Sequence, residues 1–216
     1  MNQEKARYNM VEQQIRPWGV FQPSIINLMT SIPREIFVPS ETRSLAFADL
    51  SIDIGHHQKM YQPKQEARML QALDLKESDE VLEIGTGTGF TTALLASMSH
   101  HVVSIDQFDD FIQQADKKLA QCGISNVTTD IFTANKEWHP SDRFDVIVCT
   151  PAISHSPNEL LKQLTSNGRL FSVEFYNGIS YATLYRKTDD NITRQRLFEL
   201  ATPKMSLDNE KQEFVF

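Results

Sequence analysis

The stretch Val81-Leu82-Glu83-Ile84 runs directly into Gly85-Thr86-Gly87-Thr88-Gly89, and this junction constrains the fold more than any other part of the chain. A short apolar run ended by glycines and followed by an apolar segment over 90–98 reads as strand, tight loop and helix. Glycines let the backbone turn sharply and let a ligand approach with no Cβ in the way. The unit then recurs. Val102-Val103-Ser104-Ile105-Asp106 is a second strand, 108–121 a helix, and Val127-Thr128-Thr129-Asp130-Ile131 a third strand. Phe144-Asp145-Val146-Ile147-Val148 is a fourth, a helix falls near 157–165, and Arg169-Leu170-Phe171-Ser172-Val173 is a fifth. Strands alternating with helices predict parallel pairing through right-handed crossovers, hence the α/β class with a doubly wound, mostly parallel, Rossmann-like sheet. Tyr181-Ala182-Thr183-Leu184-Tyr185 and Gln195-Arg196-Leu197-Phe198-Glu199-Leu200, separated by Asp189-Asp190-Asn191, predict a hairpin added at the sheet edge.

Before this core, residues 2–32 carry Tyr8, Val11 and Ile15, then Ile25, Ile26, Leu28 and Met29, at helical spacing. The pattern breaks at Arg16-Pro17-Trp18-Gly19, which predicts two helices with a turn between them. Pro33 and Pro39 make 32–55 an irregular layer laid over the core. After Pro63, Ala67, Leu70 and Leu73 repeat as on one face of an amphipathic helix. At 216 residues and 40% hydrophobic content, the chain has material for one sizeable core. The expected division is a helical and irregular extension over 1–63 packed on a ligand-binding domain over 64–216.

A formal net charge of −7 argues against a nucleic-acid backbone or an anionic membrane as partner, since both call for a basic patch. The charged start MNQEKARYNM lacks the apolar core of a secretory signal, and no apolar run approaches the roughly 18 residues that cross a bilayer. Cys122 and Cys149 lack CxxC spacing and read as free thiols, as in a reducing compartment. The expected location is the cytoplasm.

In an open α/β sheet, ligands bind beyond the carboxyl ends of the strands, with the first strand-to-helix loop as floor. Gly85, Thr86, Gly87, Thr88 and Gly89 are therefore candidate cofactor contacts. Glu83, just before the loop, carries a charge that suits a cationic amino-acid group and opposes a pyrophosphate. Asp106 closes the second strand about 20 residues on, where a carboxylate accepts from both ribose hydroxyls. With no GxxxxGK[ST] in the chain, a nucleoside triphosphate loses its main support. Together these features favour S-adenosylmethionine over a dinucleotide. Phe108 follows Asp106 closely enough to approach an adenine face. No histidine, cysteine and carboxylate set has zinc-like spacing, so no metal is expected.

The run Glu83-Ile84-Gly85-Thr86-Gly87-Thr88-Gly89-Phe90 resembles the first motif of the protein-L-isoaspartate O-methyltransferase family. The resemblance extends over nearly the whole chain. Met10-Val11-Glu12-Gln13-Gln14-Ile15, Ile32 to Pro39, Ile54-Gly55-His56 with Gln58 and Gln62-Pro63, Phe144 to Val148 with Thr150, and Gly168-Arg169-Leu170 all keep the family's order and spacing. It implies a class I methyltransferase fold, S-adenosylmethionine as cofactor, and carboxyl methylation of isoaspartyl residues in a protein or peptide substrate. It also implies cofactor contacts at Gln107 and Thr150, and an acceptor pocket at His56, His57 and Gln58.

Three departures accompany it. Tyr61 stands where the family carries its active-site serine, and is the candidate catalytic contact here. His57 replaces the family's second glycine. Aligned on Trp138, Thr133 replaces the Asp that meets the adenine amino group. The run Gln13-Gln14-Ile15-Arg16-Pro17-Trp18 resembles a divergent bacterial branch that also lacks the serine. Two alternatives stay open: a methyltransferase with another acceptor, and a cofactor-binding module without catalysis.

Overall fold

The computed structural model describes residues 3–132, 143–189 and 191–205. Helix α1 (Gln3–Met10) continues through a wide turn at Val11–Ile15 and a tight one at Arg16–Trp18, ended by Gly19 in the left-handed conformation. Helices α2 (Pro23–Ser31) and α3 (Arg34–Phe37) follow, each next to a proline that fixes its first turn.

Strands β1 (Ile52–Gly55) and β2 (Gln58–Met60) then pair as an antiparallel hairpin. This hairpin was not expected, because its turn is His56-His57, with φ of 49° and 57°. Two positive-φ residues make the turn type that Asn-Gly normally signals, and histidine gives no such signal. Helix α4 (Pro63–Leu73) opens with a reciprocal cap between Gln62 and Gln65. It closes against Arg169, whose guanidinium donates to the carbonyls of Leu73 and Asp74.

The main sheet is built by β3 (Glu80–Ile84), β4 (His101–Asp106), β5 (Val127–Ile131), β6 (Phe144–Ile153), β7 (Leu164–Tyr176), β8 (Ile179–Lys187) and β9 (Ile192–Glu199). Helices α5 (Phe90–Ala96), α6 (Asp109–Gln121) and α7 (Asn158–Lys162) make the crossovers. Spatial order is β5-β4-β3-β6-β7-β8-β9, with the first five parallel and β8 and β9 antiparallel. The expected mostly parallel, doubly wound sheet and its edge hairpin are therefore present. Two hairpins form the edge, since Asn177-Gly178 at positive φ also joins β7 to β8.

Alternate strand residues bury on opposite faces. Val81, Val146 and Val148 join one core with α4 and α5, while Leu82, Ile84, Ile147 and Leu170 join a second beneath the other face. The N-terminal layer belongs to the first core through Met10, Val11, Ile15, Ile25 and Met29. Trp18 meets Phe198 of β9 edge to face. From β3 the chain winds toward β4 in one direction, and β6 starts the other half. The loops after β3 and β6 therefore diverge and leave a crevice between them. Among the described residues no helix is long and apolar enough to cross a membrane.

Candidate active site

A cleft of about 840 Å³, counted to its open mouth, lies at this crevice. Its floor is the loop after β3. Gly85 has φ +97°, and a Cβ there would lie 2.3 Å from the Thr150 hydroxyl. That hydroxyl lies 3.1 Å from each of the carbonyls of Ile84 and Gly85, tying the end of β6 to the loop. At Gly87, φ +51°, a Cβ would meet Ile54 of β1 at 3.2 Å. Thr86 and Thr88 line the cleft beside them.

Asp106 lines the cleft from the end of β4, with one carboxylate oxygen accepting from the Gly87 N–H at 2.9 Å and the other from the Phe108 N–H at 3.1 Å. Burial raises its pKa, and these N–H groups partly offset the rise. Gln107, Phe108, Phe111 and Phe132 continue this wall. His56 stacks on Phe108 with ring centroids 4.0 Å apart, and its Nε2 lies 3.0 Å from Asp110. The hairpin tip is thereby fastened to the start of α6.

Opposite, Lys59, Met60 and Tyr61 line the cleft together with Thr150, Pro151, Thr202 and Lys204. The Tyr61 phenol donates to the Thr150 carbonyl, and the Thr202 side chain hydrogen-bonds to its oxygen. Burial pushes the phenol pKa well above its ordinary value. Arg34, itself buried, sits behind: it donates to the carbonyls of Tyr61 and Ala46, pairs with Glu66, and lies 4.7 Å over the Phe90 ring. Desolvation lowers the Arg34 pKa and raises that of Glu66, while each partner opposes the other's shift.

Several sequence expectations need correction. Glu83 does not reach the cleft. Its carboxylate is fully buried beneath the loop, accepting from Thr92 at 2.5 Å and Ser104 at 2.6 Å. Ser104 in turn holds the Thr86 hydroxyl at 2.7 Å, so Glu83 braces the loop from below. Gly89 is also absent from the lining; it lets α5 approach α6, where a Cβ would meet Ala115 at 2.9 Å. His56 acts through Phe108 and Asp110, and His57 is exposed in the turn, so of the expected acceptor trio only Gln58 lines the cleft. Thr133 and Trp138 lie outside the described residues. Sequence reasoning missed Ile54, Glu66, Thr91 and the tail residues Thr202 and Lys204. The tail reaches the cleft because Lys204 bridges to Ala152, a pairing with no local sequence signal.

A model of the Protein-L-isoaspartate(D-aspartate) O-methyltransferase (PCMT) family matches residues 5–201. The chain belongs to this family. A protein-L-isoaspartate O-methyltransferase of Syntrophus aciditrophicus (strain SB) is 40% identical over 167 residues, 77% of each chain. One of Methanoculleus marisnigri is 36% identical over 166 residues, 77% of this chain and 76% of that one. Among solved structures, a Plasmodium falciparum protein described as a protein-L-isoaspartate O-methyltransferase, in complex with S-adenosyl-L-homocysteine, superposes with a TM-score of 0.78. That match covers 95% of this chain and 99% of that one at 17% identity, and shows a shared fold.

Proposed function

We propose that this chain transfers the methyl group of S-adenosylmethionine to a carboxylate of a protein or peptide, with the isoaspartyl α-carboxylate as acceptor. One observation carries the reading: a single cleft joins the glycine loop and Asp106 at one end to Lys59 and Tyr61 at the other.

The residues fit the cofactor. Gly85 and Gly87 leave room where a side chain would intrude. Asp106 keeps lone pairs for the ribose hydroxyls, Phe108 offers a ring face, and Thr86, Thr88, Gln107 and Thr150 complete the set. When bound, the cofactor supplies an electrophilic methyl group on a positively charged sulfur. A carboxylate acceptor is already ionised at neutral pH, so the protein need not remove a proton. Its task is to hold the two reactants in line, an effect worth up to about 7–11 kcal/mol in favourable cases.

Tyr61, with its proton already donated to Thr150, acts as the rear wall of the acceptor site. A second reading, transfer to a different acceptor, is favoured by that same engaged phenol, which offers no hydroxyl proton to an isoaspartyl carboxylate. The free thiols of Cys122 and Cys149 suit a cytoplasmic protein. Residues 1–63 are best regarded as an extension that shares the core of the 64–216 domain.

The test is calorimetric titration with S-adenosylhomocysteine, followed in the same preparation by methyl transfer to an isoaspartyl peptide. Binding with transfer supports the reading. Binding without transfer redirects it to another acceptor, and no binding removes the enzyme reading altogether.

A further inference from the structure

The charged side chains that line the cleft among the described residues are Lys59, Glu66, Asp106 and Lys204. Glu66 is paired with Arg34, and both Asp106 oxygens accept from backbone N–H groups. The lysines differ. Among the described residues neither forms an ion pair, and both are exposed at the mouth. The Lys204 ammonium rests 4.0 Å from the Phe175 ring centroid, a contact that positions it without neutralising it.

Both lysines line the same cleft as Tyr61. Lys59 precedes it by two residues at the end of the β1–β2 hairpin, exposed where Tyr61 is buried. Lys204 bridges to Ala152, two residues beyond the Thr150 carbonyl that takes the Tyr61 proton. The position of the family's serine therefore holds a phenol whose proton is donated to Thr150, in a cleft that also carries two lysines with no ion pair among the described residues, in a chain of net charge −7.

Resting on the carboxyl-methylation reading, we propose that Lys59 and Lys204 bind the acceptor carboxylate in place of the missing serine hydroxyl. In the transfer, a carboxylate lone pair forms the new O–CH3 bond while the C–S pair returns to sulfur. The carboxylate charge and the sulfonium charge vanish together. The ester then loses its attraction to the lysines, which hold the substrate more tightly than the product.

The test compares two ligands for the protein saturated with S-adenosylhomocysteine: a short isoaspartyl peptide with no other acidic group, and the same peptide with that α-carboxyl as its methyl ester. Calorimetry on the unaltered chain should show the acid bound about tenfold more tightly or better. Lys59→Met and Lys204→Met should each shrink this preference, and the double variant should abolish it. Affinity for S-adenosylhomocysteine should stay unchanged, which also reports an intact fold. A preference that persists in the double variant overturns the proposal, as does equal binding of acid and ester by the unaltered chain. Lysine-dependent binding of the acid with no methyl transfer would uphold the proposal while removing the catalytic reading.

Discussion

Asp106 is the side chain on which the cofactor end depends most directly. Asp106→Ala removes charge-assisted hydrogen bonds and should weaken S-adenosylhomocysteine binding by about 1.5–3 kcal/mol, measured by calorimetry; an unchanged affinity would overturn the assignment. Glu83 makes a different prediction, because its hydrogen bonds go to Thr92 and Ser104 beneath the loop. Burial raises its pKa from an ordinary 4.5 to about 8, against opposing hydrogen bonds from Ser104 and Thr92. Between those values the folded chain keeps a proton that the unfolded chain has released, so Glu83 favours folding most below pH 4.5 and progressively less as pH rises toward 8. Thermal unfolding from pH 5 to 8 should show a steeper decline for the natural chain than for Glu83→Gln. Equal slopes would show that Glu83 is ionised throughout. The position of Glu83 was legible in the sequence, and its job was not. A carboxylate at a strand end reads the same whether it points up to a ligand or down to Ser104.

At the scale of elements, Arg34 links α3, α4 and the segment after β2. Arg34→Met leaves Glu66 as an uncompensated buried charge and should cost about 3–5 kcal/mol in denaturant unfolding. The double variant Arg34→Met with Glu66→Met should recover most of that loss, because a buried pair exchanged for apolar side chains is often near neutral. Failure to recover would mean that the bonds to the Tyr61 and Ala46 carbonyls dominate. Helices and strands of the α/β core were readable because period, glycines and prolines all act locally. Strand β5 falls on its expected bounds, Val127–Ile131. The β1–β2 hairpin was not readable, since its turn is built from two histidines in a backbone conformation that glycine usually supplies.

Across the whole molecule, the cleft draws on parts far apart in sequence: the hairpin near 54–61, the loop at 85–88, the ends of β4 and β6, and the tail at 202–205. The floor was legible from one motif, and the roof and tail came only from tertiary packing. The β1–β2 hairpin spans both ends of this cleft, with Ile54 resting on Gly87, His56 fastened to α6, and Lys59 at the mouth. It therefore acts as a clasp over the cofactor while leaving the acceptor side open. His56→Ala should accordingly hasten S-adenosylhomocysteine release in displacement kinetics, and an unaltered rate would free the hairpin from this role. A faster release would place control of product exchange in a two-histidine turn away from the acceptor side.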